Sequence, residues 1–406
     1  MKLNKKFVTV FAAVVLLVQS ALPAFAATTI VVSGNGADSK NQTDVSVSQT
    51  TNVVQSNNAN VTNQVKANAN TGGNKANKNT GGDVAVHTGD ASVDTKISNT
   101  LNTNAASVDC CNKGDVDVKI SGNGADSRNN VDLSVSNSTL VSQTNNANVK
   151  NNVDAYAGTG YNESNKNTGG DSVIRTGDAS VTTEVSTSAN ANSARVGANG
   201  NGAKTLSAWV VGNGADSRND LDLDFGHDLN VVQNNSASVY NKVDVDAGTG
   251  SNKANKNTGG DFVIETGDAT VDVVVDTMTN FNWADVDCGC LFDVLAKIHG
   301  NGYDSRNDIE AVFDDSLGVF QSNGGYGVDN LVYADAGTGY NESKKGTGYD
   351  GSDPYIKTGD AESYVEVTNG GNSNVYGETP EWEFPMYGFN LNISFNLRDL
   401  LEFLMG

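Results

Sequence analysis

The chain has 406 residues, a formal net charge of −22 and only 7% aromatic residues. A polyanion repels phosphate groups and anionic lipid surfaces, so this charge excludes nucleic acid as a partner and suits either solubility or the attraction of divalent cations. Because 44 residues are glycine and Asn, Asp, Ser and Thr are abundant, the composition approaches that of disordered chains. A stable fold must therefore depend on regular patterning rather than on bulky core residues.

The N-terminal residues have the features of a secretory signal peptide. Three lysines precede an apolar run from Phe7 to Val18, and Ala24-Phe25-Ala26 is a small-x-small cleavage pattern. The apolar run is short for a membrane span, and no charged stop follows it. We therefore predict that residues 1–26 are removed and that the mature chain, without those three lysines, carries a charge of −25. We expect it to be secreted or held at the cell surface, with no transmembrane segment.

The rest of the chain is a fourfold repeat. The phrase Gly-Asn-Gly-Ala-Asp-Ser, with Tyr for Ala in the last copy, begins at Gly34, Gly122, Gly212 and Gly300. A second phrase, Thr-Gly-Asp-Ala, begins at Thr88, Thr176, Thr266 and Thr358. Self-similarity at a fixed period predicts one structural unit that is stacked on copies of itself. The repeats are assigned to residues 27–120, 121–210, 211–298 and 299–377, and residues 378–406 to a hydrophobic C-terminal cap or assembly segment.

Short stretches inside each repeat alternate apolar and polar residues, as in Asp44-Val45-Ser46-Val47-Ser48, while helical periodicity is nearly absent. A period of two is typical of half-buried strands. Ala-centred phrases around Ala37, Ala59, Ala76 and Ala91 suggest about four coils per repeat. We therefore predict an all-β fold, a repetitive β-solenoid (β-helix) of four repeats of ~88 residues. About sixteen coils at ~4.8 Å each would give a rod about 75 Å long, with Asn side chains in ladders along it.

The alternative fold is a row of small antiparallel β-domains in tandem, since Asn-Gly pairs are also hairpin signals. A free-standing domain of this size needs a thick core with several aromatic residues. The second repeat offers chiefly Tyr156, Tyr161 and Trp209. A thin core is typical of solenoids, and the composition favours the solenoid.

Acidic residues recur in the Gly-rich turns at and before the Thr-Gly-Asp phrase. Carboxylates beside backbone carbonyls are the oxygen ligands that Ca²⁺ accepts, so these positions are candidate weak calcium sites. Their alternative role is to cap the turns through hydrogen bonds to the backbone. The seven candidates are Asp83, Asp90, Asp171, Asp178, Asp261, Asp268 and Asp360. Apart from calcium, the sequence indicates no cofactor.

Two pairs of cysteines lie at repeat ends, and they are Cys110, Cys111, Cys288 and Cys290. Disulfides are expected in an exported protein. In a stack of sixteen coils the two pairs would be on the order of 40 Å apart, far beyond the reach of a disulfide. The sequence therefore predicts local or intermolecular bonds, and the same distance argues against a zinc site made of all four thiolates.

The most hydrophobic mature segment lies at the C-terminal end. Residues 389–397 alternate apolar and polar, and the apolar positions are Phe389, Leu391, Ile393, Phe395 and Leu397. An end coil of a solenoid must be covered to prevent uncontrolled edge pairing, which predicts a cap. The other interpretation is a docking strand that completes a neighbouring subunit or anchors the protein to the cell envelope.

The stretch Gln55-Ser56-Asn57-Asn58-Ala59-Asn60-Val61-Thr62-Asn63-Gln64 resembles the Gln/Asn/Ala repeats of curlin, the bacterial functional amyloid. The chain is also similar to the Asn- and Gly-rich repeat proteins that bacteria export. These resemblances imply an extracellular, self-associating β-structure without catalysis. Fourfold repetition likewise offers no single asymmetric site, so we expect no enzymatic activity.

The function predicted from the sequence is structural: a component that forms or decorates an extracellular fibre, a surface layer or a biofilm matrix, with self-association as its main interaction. The alternative is a surface adhesin that binds a glycan, a host surface or another cell through its outward faces, with or without calcium.

Overall fold

The computed structural model describes residues 28–108, 115–197, 204–287, 292–348 and 353–377. They form sixteen β-strands, and the described ranges contain no helix. The same four strands recur in every repeat. The first is short: β1 Thr28–Ser33, β5 Val116–Ser121, β9 Lys204–Val211 and β13 Phe292–His299. The second is very long: β2 Lys40–Asn70, β6 Arg128–Gly158, β10 Arg218–Gly248 and β14 Arg306–Gly337.

The remaining two strands close the repeat. The third has four residues: β3 Val84–His87, β7 Ser172–Arg175, β11 Phe262–Glu265 and β15 Pro354–Lys357. The fourth is again long: β4 Ala91–Val108, β8 Ala179–Val196, β12 Ala269–Val286 and β16 Ala361–Tyr376.

Each strand pairs in parallel with the strand at the same position in the next repeat. This gives four sheets of four strands, in the orders β1-β5-β9-β13, β2-β6-β10-β14, β3-β7-β11-β15 and β4-β8-β12-β16. The register follows the repeat, so that Gln55 lies beside Gln143 and Gln143 beside Gln233. One repeat is therefore one coil, and the coils stack in register. The all-β solenoid is confirmed, and the tandem antiparallel domains are wrong because the sheets run between repeats.

The number of coils predicted from the sequence is also wrong. The Ala-centred phrases do not mark successive coils. They mark successive sides of a single coil, and Ala59 lies inside β2, which is one continuous strand of 31 residues. The stack has four coils rather than sixteen, and at ~4.8 Å per coil it is about 19 Å tall rather than about 75 Å. We name these coils by their described residues: coil 1 (28–108), coil 2 (115–197), coil 3 (204–287) and coil 4 (292–348 and 353–377).

Each coil is a flattened loop with two facing walls. The second half of β2 runs opposite β4, where the side-chain Nε2 of Gln55 donates to the carbonyl of Ala105 at 2.9 Å. Near the far end of the same walls, Oγ1 of Thr71 donates to the carbonyl of Gly89 at 2.7 Å. The first half of the β2 row packs against the β1 row, where Ile120 and Leu133 share one buried cluster. Inward side chains therefore fill a core only two walls thick.

The core consists mostly of Val, Ala, Leu and Ile, as the low aromatic content requires. One buried cluster joins the β1 row to the start of the β2 row, two join the β2 row to the β4 row, and a small one containing Ile174 and Ile264 fills the tip beside β3. Alternation along the strands is regular, because β8 and β12 bury every second residue over most of their length.

Buried amides form ladders between the two clusters that join the β2 and β4 rows, as the sequence predicted. Asn145 is 1% exposed. Its Nδ2 donates to Oδ1 of Asn192 across the core at 2.8 Å and to Oδ1 of Asn235 in the coil above at 3.1 Å. Its own Oδ1 accepts from Asn57 of the coil below at 3.1 Å and from Asn104 at 3.0 Å. Each buried amide thus ties together the two walls and the adjacent coils.

The Gly-Asn-Gly-Ala-Asp-Ser phrase is explained by the turn between the first and second strands. Gly34 has φ 70° and Asp38 has φ 57°, both in the left-handed region that Gly and Asp accept most readily. The second glycine has a different reason, because a Cβ on Gly214 would lie 2.5 Å from the backbone nitrogen of Ala125 in the coil below. The phrase therefore combines a tight turn with close contact between coils.

We predict that replacing a buried ladder amide destabilises the stack far more than replacing an exposed one on the same strand. Asn145→Ala removes one acceptor from each of Asn57 and Asn104 and the donor to Asn192 and Asn235, which should cost about 2–4 kcal/mol. Asn148→Ala is the matched control, because Asn148 faces solvent three residues further along β6. Urea unfolding followed by circular dichroism measures both, and equal midpoints would show that the amide ladder does not hold the coils together.

Candidate functional site: the open edges of the stack

The seven aspartates proposed as calcium ligands lie in two rows of exposed turns, and their carboxylates connect successive coils. The backbone N–H of Asp171 donates to Oδ1 of Asp83 at 2.9 Å, and that of Asp261 donates to Asp171 in the same way. The second set repeats this between Asp178 and Asp90 at 2.9 Å, and it continues through Asp268 to Asp360. The carboxylates therefore bond to the backbone of the next coil rather than to their own turn.

Within the described ranges, no group of three or more His, Cys, Asp or Glu side chains is arranged to hold a metal ion. Calcium binding by these turns stays a prediction. The sequence did not reveal that the Thr-Gly-Asp phrase makes a second contact between coils. The N–H of Gly177 donates to Oγ1 of Thr88 in the coil below at 3.2 Å.

The distance predicted between the two cysteine pairs is wrong, although all four cysteines lie outside the described residues. Val108 pairs with Val196, and Val196 pairs with Val286. Those two valines come two residues before Cys110 and Cys288, respectively. Two steps of ~4.8 Å separate Val108 from Val286 by about 10 Å, not by about 40 Å. The predicted distance of about 40 Å is therefore too long, but about 10 Å between these strand positions still exceeds the Cα separation of a disulfide, and the pairing of the cysteines stays a prediction.

The predicted signal peptide and the C-terminal residues Phe389, Leu391, Ile393, Phe395 and Leu397 also lie outside the described residues. Whether the C-terminal segment caps or docks stays a prediction. In the part of the chain that the structure describes, no helix is long and apolar enough to cross a membrane.

An acidic row runs up the outer face of the long strands. Asp44, Asp132, Asp222 and Glu310 are register partners on β2, β6, β10 and β14. Partial burial raises the pKa of Asp132, and its contacts with Asp44 raise it further. Burial and the neighbouring carboxylates likewise raise the pKa of Asp222. A carboxyl group with a raised pKa destabilises the fold most when it is fully ionised, so this row costs stability at neutral pH.

We predict that Asp132→Asn stabilises the protein at neutral pH by about 0.5 kcal/mol, because it removes like charges between adjacent rungs. The gain should shrink as the pH falls toward the raised pKa of Asp132, because protonation of the folded state then removes the like charge that the substitution removes. Asp154→Asn is the control on the same strand. Asp154 forms an ion pair with Lys66 at 3.0 Å, so Asp154→Asn should lower stability slightly or leave it unchanged. Thermal unfolding at several pH values tests this, and a destabilised Asp132→Asn protein would contradict it.

The largest unusual surfaces are the two ends of the stack. Among the described strands, those of coil 1 and coil 4 pair on one side only, because β2 pairs with β6 alone and β14 with β10 alone. A strand of 31 residues, such as β2, extends over about 100 Å at ~3.3 Å per residue. Each end therefore presents a row of backbone donors and acceptors without a described strand beside it, and this is the template for adding another strand.

The hydrophobic core is also open at the coil 4 end. Phe313 stacks on Phe225 of coil 3 with 5.2 Å between ring centroids, yet 48% of its surface is exposed. Leu317 is 53% exposed, whereas its register partner Leu229 in coil 3 is 1% exposed. Side chains that are buried in the middle coils are thus half-exposed in coil 4, because no described coil lies above them.

No family model, no curated protein and no solved structure matches the chain. The resemblance to curlin and to exported Asn/Gly-rich proteins stays a hypothesis that depends on the residues quoted above.

Proposed function

We propose that this protein is a structural component of an extracellular fibre, surface layer or biofilm matrix, and that it works by stacking end to end with other copies. The observation that carries the proposal is the pair of open coil edges. Each edge is a backbone template about 100 Å long, and at the coil 4 edge the hydrophobic core also ends in half-exposed side chains. No ligand smaller than another strand layer satisfies both.

The repeated surface supports a structural role rather than a catalytic one. The charged residues on the outward faces and in the turns occur in rows, and their contacts are contacts between stacked coils. The turn aspartates accept hydrogen bonds from the backbone of the next coil, and Lys96 pairs with Glu184 of the next coil at 2.6 Å. Export, which the N-terminal sequence predicts, would bring the protein to the compartment where such an assembly is useful.

We predict that the protein forms filaments whose axial repeat equals the height of one chain. The purified protein should form filaments above a critical concentration, and aligned filaments should diffract at ~4.8 Å along their axis because the coils stack along it. Each chain adds four coils, so an additional axial repeat of about 19 Å is expected. Electron microscopy and fibre diffraction measure both spacings.

Two outcomes would decide against the proposal. A monomer at every accessible concentration, shown by sedimentation, would leave the open edges without this role. Retention of the monomer on cells or on glycan arrays would then favour the alternative, an adhesin that uses the outward faces of the coils.

A further inference from the structure

We infer that assembly is head to tail: the coil 4 edge of one copy accepts the coil 1 edge of the next as a fifth coil in the same parallel register. The partner is therefore a second copy of this chain, joined through unlike ends. This inference rests on the proposed function and adds the polarity, the register and the residues of the junction.

A glycine at the bottom of the stack, Gly36, lies where a further coil would pack. In the row Gly36, Gly124, Gly214 and Gly302, a Cβ on any of the last three would overlap the backbone of the coil below. Gly36 has nothing within 4 Å, and its φ lies outside the left-handed region. Among the residues that the structure describes, neither space nor conformation requires glycine at position 36. A coil packed beneath coil 1 would require it.

The Thr-Gly-Asp row repeats this pattern at the same edge. A Cβ on Gly177 would lie 2.5 Å from Oδ1 of Asp90, and one on Gly267 would lie 2.5 Å from Oδ1 of Asp178. Gly89 occupies this row in coil 1, again with nothing within 4 Å and an ordinary φ. Two separate turns of coil 1 thus have the residue that close packing from below demands.

The top of the stack also has such a glycine, in a row where the close contact is with the coil above. In the row Gly72, Gly160, Gly250 and Gly339, a Cβ on any of the first three would overlap the carbonyl of the glycine in the coil above. Gly339 has no neighbour within 4 Å and no left-handed φ. A coil above coil 4 would require glycine at this position, and in a head-to-tail junction that coil presents Gly72 of the next copy.

The side-chain ladders give the polarity of the junction. Nδ2 of Asn35 donates upward to Oδ1 of Asn123 at 2.8 Å, and Asn123 donates to Asn213 in the same direction at 3.0 Å. Another ladder runs from Asn63 through Asn151 with the same direction. Head-to-tail stacking continues these directed ladders, whereas pairing of two like ends would reverse them at the junction.

Charge also favours unlike ends. The described residues of coil 1 contain five basic and five acidic residues, for a net charge of zero, and those of coil 4 contain five basic and thirteen acidic residues, for a net charge of −8. Two coil 4 edges would bring like charges together, which is unfavourable. A neutral coil 1 edge avoids this repulsion.

Two columns fit the junction specifically. Lys75, Glu163, Lys253 and Glu342 are successive bridge partners, so the column alternates in sign, and Lys75 of the next copy continues the alternation after Glu342. In a second column Lys96 already pairs with Glu184 above it at 2.6 Å. Register places Glu366 at this position of coil 4, so the junction would put Lys96 of the next copy between two glutamates.

The sharpest test replaces an edge glycine that the monomer does not need. Gly339→Ala should leave thermal unfolding of the monomer unchanged while raising the critical concentration for filaments about tenfold or more, because the added methyl group would overlap the next coil. Gly337→Ala is the control. Gly337 lies two residues earlier on the same edge, also without a neighbour, and a Cβ on Gly248 in its row would lie an ordinary 4.0 Å from the carbonyl of Gly337. This control should assemble like the parent protein.

The same experiment at the other end uses Gly36→Ala, which should give the same loss of assembly with an unchanged monomer. If Gly339→Ala proves unstable, Gly36→Ala alone tests the head-to-tail junction. Filaments from both edge variants at the parent concentration would overturn the head-to-tail junction while leaving the fibre proposal standing. Absence of filaments from the parent protein would instead overturn the fibre proposal itself.

A charge reversal tests the register independently. Glu366→Lys would place two lysines together at the junction, and we expect it to raise the critical concentration several-fold at low salt and less at high salt. Glu362→Lys makes the same charge change four residues away on β16, in the row that ends in Ser92 of coil 1, and it should have a smaller effect. Equal effects of the two substitutions would contradict the proposed register.

Discussion

The structure depends on parallel backbone pairing between coils at the spacing of a single strand layer. This spacing of ~4.8 Å places each residue directly over its repeat partner. The side chains at one position of successive coils must therefore pack against one another without repulsion. Amides do so well, because an Asn can donate to the Asn above and accept from the Asn below, as Asn145 does. Carboxylates on the outer face do so poorly, because burial and the neighbouring Asp44 carboxylate both raise the pKa of Asp132. The composition of the chain, rich in Asn and Gly and poor in large side chains, follows from this one constraint.

The sequence was sufficient to predict the fold class. The recurrence of the Gly-Asn-Gly and Thr-Gly-Asp phrases predicts stacked units, and the alternation in β2 and β6 predicts strands with one buried face. The coil count could not be predicted in this way, because a period of two is the same in successive sides of one coil and in successive coils. The sequence predicts a separate coil at the phrase around Ala59, within the amide-rich stretch from Gln55 to Asn63. In the structure these amides are part of a continuous strand, and several of them are hydrogen-bonded across the core.

The candidate site was harder to predict than the fold. Sequence reasoning treats a conserved spacing of glycines as a set of turns with positive φ, and that explanation is correct for Gly34. It does not apply to Gly36, Gly89 or Gly339, which have ordinary backbone angles and no close neighbours. The signal was present in the repeats, because the same position is glycine in each coil. Its meaning becomes visible only when the coil geometry separates glycines that turn the chain from glycines that make room for another coil.

An uncovered β-edge is normally a hazard, and solenoids usually cover it with a cap. The predicted cap or assembly segment, residues 378–406, has 29 residues, and its alternating strand, residues 389–397, has nine, whereas β14 alone has 32 residues and β16 has 16. A strand of nine residues can cover only a small part of such an edge, whether it belongs to the same chain or to a neighbour. A second copy of coil 1, by contrast, matches the whole edge in length, in ladder direction and in the positions of its glycines. The C-terminal segment and the next copy therefore need not compete for the coil 4 edge: a short strand can hold one part of it while most of its length remains for stacking.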